Sequence, residues 1–315
     1  MTFKETEKTK RALTTVAVMA LCLFLFVDPA FGASNAASSD NLALWQAIIL
    51  GIVEGLTEFL PISSTGHLLA TKEILDLGQT QTTEKAIDSY IISIQIGAIF
   101  AVAVLYRNRL KQMVQGLRGN NSDGRRILNA LIVAFIPTAL IGYIAADFVK
   151  DELYGLTPVA AAWIVGGASI LFVQRKRLFQ EEGIVLENLS LNQALIIGFV
   201  QSLALWPGVS RSLVTIVAGV LIGMSLKAAV EFSFLLGFVT LTAATIYEIG
   251  NDGQEIINNF GYLSPTIGLV VAFSSAILSV RWMVGWLEKR SFAIFGYYRV
   301  LAGLVAFLLI SIGFF

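Results

Sequence analysis

Glu54 and Glu58 stand four residues apart in a stretch, Ala47 to His67, that is otherwise mostly apolar. On a helix that spacing puts both carboxylates on one face. There they repel each other, and at membrane depth both suffer from the loss of water. A divalent cation between them offsets that cost. The pair therefore reads as a candidate metal site. The alternative is one protonated acid, hydrogen-bonded between helices. Pro61 follows, then Ser63, Ser64, Thr65, Gly66 and His67, the only histidine of the chain. Hydroxyls beside the free N–H groups of a resumed helix suit an anion, and phosphate above all. His67 can serve as acid, base or nucleophile.

A second polar cluster runs from Pro207 to Thr215. Arg211 stays charged and offers a fork of donors that fits phosphate in two places. Ser210, Ser212 and Thr215 add hydroxyls along the same helix start. An arginine in an apolar segment needs a partner. Glu231, in the next segment, is expected to orient Arg211 while Arg211 holds the anion. Together the groups suit cleavage of a phosphoanhydride, which needs charge neutralised and a nucleophile aimed in line. Two nucleophile assignments stay open. In one, Ser64 attacks and His67, three residues on, takes its proton. In the other, His67 attacks directly. A resumed helix that puts Ser64 and His67 on one face favours the first.

The two clusters look like copies of one element. Gly51 pairs with Gly198, Glu54 with Gln201 and Leu56 with Leu203, each 147 residues on, and Pro61 with Pro207 and Ser64 with Ser210, each 146 residues on. Weaker echoes follow in the same order: Ser93 and Gly97 recur as Ser233 and Gly237, and Val133-Ala-Phe135 recurs as Val271-Ala-Phe273. A helix broken by Pro and a Ser-rich turn is tolerated at membrane depth only where protein or a watery cavity satisfies its backbone. Paired broken helices in two halves point to a midplane site.

Composition sets the class. Hydrophobic residues make up 56% and charged residues 14% of 315, with mean hydropathy +0.75; soluble domains average about 25% charged. This is an integral membrane protein. With 22 basic and 22 acidic residues there is no nucleic-acid footprint, and one cysteine, Cys22, excludes a disulfide framework or a Cys-based metal site. Lys8, Lys10 and Arg11 before the apolar run Ala12 to Val27, then Ala30-Phe31-Gly32-Ala33, read as a signal peptide cut near Gly32 or Ala33. Residues 1–40 are thus expected to stand apart from a membrane domain over 41–315, with repeats at about 42–174 and 190–315.

Apolar windows of about 20 residues or more span a bilayer. They lie near 87–106, 127–146, 157–174, 228–248, 263–281 and 291–313. The expected fold is all-α: six transmembrane helices plus two re-entrant helical hairpins at 42–71 and 191–223, arranged as inverted-topology repeats. Basic loops at 107–126, 175–177 and 281–290 all fall on one side in this arrangement, and such loops stay cytoplasmic. The first hairpin then enters from outside and the second from inside.

These motifs resemble the undecaprenyl-diphosphatase family, the bacitracin-resistance proteins. The family's acidic E-x-x-x-E matches Glu54 to Glu58, its Pro-x-Ser-Ser-Thr-Gly-His matches Pro61 to His67, and its P-G-x-S-R-S-x-x-T matches Pro207 to Thr215 without departure. The resemblance runs from about residue 42 to the end. It implies removal of one phosphate from undecaprenyl diphosphate, giving the monophosphate carrier for cell-wall polymers, and bacitracin resistance. It implies assistance by magnesium or calcium, with metal or acid/base roles at Glu54 and Glu58 and phosphate binding at Arg211. It also implies a multi-pass protein of the bacterial inner (plasma) membrane, with the site facing the periplasm or exterior. The partners are then the polyprenyl diphosphate and membrane lipids; a homodimer stays open. The rival class is a transporter or flippase for a lipid phosphate or another anion. A pure anion carrier needs Arg211 and helix ends, but not paired acids and a histidine beside serine.

Overall fold

The computed structural model describes residues 42–176, 178–288 and 290–314; the signal-peptide-like segment expected over 1–40 lies outside them. The described residues form helices α1 (Leu44–Thr57), α2 (Ser64–Ile74), α3 (Gln81–Ser93), α4 (Gln95–Leu105), α5 (Arg107–Leu117), α6 (Ser122–Phe148), α7 (Leu156–Arg175), α8 (Leu191–Gln201), α9 (Arg211–Leu221), α10 (Leu226–Phe260), α11 (Leu263–Leu287) and α12 (Ala293–Ser311). Among them there is no strand, only an isolated bridge between Ile184 and Met224.

Among the described residues, six helical stretches are long and apolar enough to cross a membrane: Gln81–Leu105, Ser122–Ala146, Leu156–Arg175, Leu226–Phe260, Leu263–Leu287 and Ala293–Ser311. The chain is a multi-pass all-α membrane protein. The first span is α3 and α4 joined through a turn at Ile94. α10 has 35 residues, about 52 Å at 1.5 Å per residue, longer than the hydrocarbon slab of about 30 Å. The large apolar side chains Phe100, Tyr143, Ile144, Val165 and Leu278 stand exposed around the bundle, as a lipid-facing surface requires.

Both motif regions are broken helices. α1 stops at Thr57, and α2 resumes at Ser64 with Ser63 as its cap; α8 stops at Gln201, a short 3₁₀ turn covers Ser202–Leu205, and α9 resumes at Arg211 with Ser210 as its cap. Their packing is exchanged between halves. α1 lies against α11, and α8 lies against α6. Gly51 and Gly198, one of the repeated pairs, sit at these crossings. A Cβ on Gly51 would press into the backbone oxygen of Gly268, and one on Gly198 into that of Ala134. Their own carbonyls accept hydroxyls from the same neighbours: Ser275 Oγ on Gly51 O at 3.1 Å and Thr138 Oγ1 on Gly198 O at 2.9 Å.

The crossings make a test. Gly51→Ala and Gly198→Ala should each lower stability by about 1–3 kcal/mol through overpacking against backbone that cannot yield. Gly250→Ala, where a Cβ meets open space, should not. Thermal unfolding in detergent reads the difference, and equal melting temperatures for all three would overturn the crossing geometry.

Candidate functional site

Ser63 takes φ 75°, a region uncommon outside glycine. Its hydroxyl accepts from Gly66 N–H at 3.4 Å and starts α2. One residue on, Ser64 Oγ donates a short hydrogen bond to Glu58 Oε2. The other oxygen of that carboxylate, Oε1, takes Arg211 Nη2 at 3.1 Å. Glu58 therefore bridges the break of the first half to the restart of the second. Arg211 Nη1 donates to Ser233 O at 3.0 Å. Its guanidinium lies 5.5 Å from the Phe59 ring centre and fills the space left by the missing side chain of Gly237.

Glu54 is 0% exposed, and neither of its carboxylate oxygens has a hydrogen-bond partner. The charged groups acting on it are Glu58 and Arg211. A buried carboxylate without donors is costly, and buried polar groups are otherwise paired. Two carboxylates and the Ser64 hydroxyl form an oxygen donor set of the kind that magnesium and calcium take. Among the described residues no group of three or more His, Cys, Asp or Glu gathers at one point.

The hydroxyls of the second cluster are committed elsewhere. Ser210 Oγ and Ser212 Oγ both reach Leu60 O, at 3.4 and 2.8 Å, and lie 2.9 Å from each other. Thr215 Oγ1 reaches Ser233 Oγ at 2.7 Å and Arg211 O at 2.8 Å. All three residues are buried. Ser210 and Ser212 tie the second half to the first, whereas Thr215 faces α10 rather than the gap between the breaks. Thr65 is half-buried in the first turn of α2.

Two sequence expectations change. Glu231 does not orient Arg211. It takes Arg109 Nε at 2.6 Å and Nη2 at 3.3 Å, and Arg109 Nη1 also reaches Glu187 at 2.7 Å. The Glu231 hydrogen bond holds the Arg109 guanidinium above its ordinary range. The reason is helical: Glu231 and Ser233 are two residues apart, which turns them about 200° around α10. Ser233 thus faces α9 while Glu231 faces α5, and Glu58 already fills the partner role. Nor does the structure bring His67 onto Ser64. His67 Nδ1 lies 2.6 Å from Ser63 O, and Nε2 lies 2.6 Å from the Tyr298 hydroxyl. A carbonyl only accepts, so Nδ1 carries the proton; in the neutral ring Nε2 then accepts from Tyr298. Trp163 packs on the same imidazole at 4.7 Å.

Sequence reasoning missed Tyr298 and Arg299, consecutive in α12. Arg299 is 0% exposed and donates to three carbonyls, Pro61 O, Ala162 O and Gly208 O. The signal was present: a lone cation inside the apolar window 291–313 is a functional candidate by default.

The fold and these contacts define a class, a polytopic membrane protein in which two broken helices meet through buried polar side chains. The family described as bacitracin resistance protein BacA matches residues 47–305, and the chain belongs to that family. It is 41% identical over 262 residues to the undecaprenyl-diphosphatase of Sorangium cellulosum, covering 82% of this chain and 84% of that protein. It is 40% identical over 278 residues to the undecaprenyl-diphosphatase of a Psychrobacter species, covering 85% and 96%. Undecaprenyl-diphosphatase 2 of Rhodospirillum rubrum is 40% identical over 268 residues, covering 84% and 94%.

The Glu58–Arg211 contact makes a test. Arg211→Gln leaves Glu54 and Glu58 as two buried acids without a cation and should cost about 3 kcal/mol, as when one partner of a buried pair is removed. Adding Glu58→Gln should recover part of that loss. Unfolding in detergent measures the cycle, and additive losses would mean that the pair is not coupled.

Proposed function

We propose that this chain removes the terminal phosphate of undecaprenyl diphosphate, yielding undecaprenyl phosphate and inorganic phosphate, and so recycles the lipid carrier of cell-wall synthesis and confers bacitracin resistance. Membership of the family and the names of its relatives support the reaction. The observation that carries it in the site is the chain of contacts Ser64–Glu58–Arg211 beside the unpartnered Glu54.

In this reading Arg211 and the N–H groups starting α2 and α9 hold the diphosphate. Ser64 Oγ attacks the terminal phosphorus, and its proton passes to Glu58, the carboxylate already bound to it. The bond from that phosphorus to the bridging oxygen breaks, and undecaprenyl phosphate leaves. Water then cleaves the phosphoserine and regenerates Ser64. The negative charge of Glu58, held by Arg211, keeps the base oriented. Glu54 and Glu58 would hold magnesium or calcium, which would supply positive charge to neutralise the phosphates. His67 fixes the Ser63 carbonyl, and with it the turn that presents Ser64.

The site is proposed to face the periplasm, in the inner membrane, with the two broken helices as re-entrant hairpins of inverted repeats. The exchanged packing of α1 on α11 and α8 on α6 supports a two-fold relation between the halves. A carrier for anions has no need of a serine held by a carboxylate, so hydrolysis is the better reading.

Two experiments follow. Purified protein should release phosphate from a prenyl diphosphate, and EDTA should stop it. Ser64→Ala should remove nearly all turnover, whereas His67→Ala should leave a measurable remnant because His67 does not take the proton. Substantial turnover by Ser64→Ala, or acid-labile phosphate trapped on His67, would sink the serine assignment. For topology, with Cys22 replaced, cysteines introduced at Glu152 and Asn251 should react with an impermeant reagent added outside. Those at Ser122 and Lys176 should not, and labelling at Ser122 from outside overturns the orientation.

A further inference from the structure

Arg299 is a cation buried in the middle of a membrane span, and no carboxylate among the described residues forms an ion pair with it. Its donors go to carbonyls: Nη2 to Ala162 O at 2.8 Å and Gly208 O at 2.9 Å, and Nη1 to Pro61 O at 3.4 Å. Pro61 lies three residues before the first residue of α2, and Gly208 three residues before the first residue of α9. One guanidinium therefore ties both breaks just ahead of the helices that resume after them. Room for it is kept by Gly166, where a Cβ would lie 2.9 Å from Arg299 Nε and 2.8 Å from Cζ.

Two physical consequences follow. Carbonyl oxygens released at a helix break are negative ends of dipoles, and they would repel an anion gathered by the nearby N–H groups. Arg299 occupies two of them. A buried charge with no counter-charge among the described residues is also expensive, and it becomes less so when an anion is bound close by. Tyr298, the preceding residue, holds His67 and through it the Ser63 carbonyl. Successive side chains of α12 thus brace the first break at two points.

We propose that Arg299 is a positioning residue for diphosphate hydrolysis: it sets the starts of α2 and α9 relative to each other and supplies a fixed positive charge beneath the bound phosphates. The inference rests on the hydrolysis reading above. It separates geometry from charge, so three variants test it. Arg299→Lys keeps the charge with fewer aimed donors. Arg299→Gln keeps two donors without charge. Arg299→Met keeps neither.

The assay uses full-length protein that elutes as a single folded species, with a prenyl diphosphate as substrate and inorganic phosphate as product inhibitor. Arg299→Met should lose roughly 100-fold in kcat, the scale of a small misplacement of reacting groups, and phosphate should inhibit it more weakly. Arg299→Lys should keep near-wild-type inhibition by phosphate while kcat falls. Arg299→Gln should show the reverse split, with the larger loss in phosphate inhibition. Gly166→Ala, which crowds the guanidinium without removing it, should lower kcat and covers the case in which Arg299→Met does not fold. A residue that only packs the core would lower yield and melting temperature while leaving kcat and phosphate inhibition of the folded fraction alone. That result in Arg299→Gln or Arg299→Met overturns the proposal. Failure of the wild-type protein to release phosphate would instead overturn the hydrolysis reading.

Discussion

A helix opened inside an apolar slab leaves peptide groups that have lost their helical partners, and lipid offers them nothing. Every functional feature of this chain stands on how that demand is met. The carbonyl of Leu60, freed in the first break, takes hydroxyls from Ser210 and Ser212 of the second. The carbonyls of Pro61 and Gly208, one in each break, take the same arginine of α12. Each break is thus closed by groups that come from beyond its own helix pair. Neither half is expected to hold its break alone, which gives a physical reason for a doubled architecture with a site at the junction.

The glycines of α1 and α8 belong to the same logic. Bringing broken helices close enough for such hydrogen bonds requires small contact surfaces, as in membrane helix packing generally. Gly51 and Gly198 let α1 and α8 lie directly on backbone of α11 and α6, and hydroxyls of Ser275 and Thr138 then reach the glycine carbonyls. Packing and polar satisfaction come from one residue choice.

Much of this was legible in the sequence. Hydropathy places five of the six spans to within six residues at either end, because lipid imposes length and composition strictly. α10 is the exception, running twelve residues past the window that ends at 248. The breaks at Pro61 and Pro207 were visible as polar punctuation in apolar runs, and Glu54, Glu58, Ser64 and Arg211 stood out because charge and hydroxyls are rare there. Pairing was not legible. Glu231 lies twenty residues from Arg211 in sequence but on the wrong side of α10. Proximity along a chain does not fix the face that a helix turns to its neighbour. His67 and Ser64 share a helix start, but the ring turns toward Tyr298, more than two hundred residues away. Hydroxyls that read as phosphate ligands, Ser210 and Ser212, answer first to a carbonyl left open in the other half. That preference depends on the fold, and no local motif carries it.

The repeat also shows where chemistry was placed. Glu54 and Gln201 occupy corresponding positions in the two halves. Gln201 has an amide that can donate, and it does so to Thr138 Oγ1 at 2.9 Å, the same hydroxyl that holds Gly198 O. The glutamine is therefore built into its crossing. At the other crossing, Ser275 of α11 likewise gives its proton to backbone carbonyls, Gly51 O among them. A carboxylate can only accept, and Ser275 has no second proton to offer. Glu54 thus stays outside the hydrogen-bond network that absorbs its counterpart. A single amide-to-acid difference turns a structural position into a buried acid without a hydrogen-bond partner, on the half that also carries Glu58, Ser64 and His67. The second half contributes Arg211 and the ties that hold the breaks together.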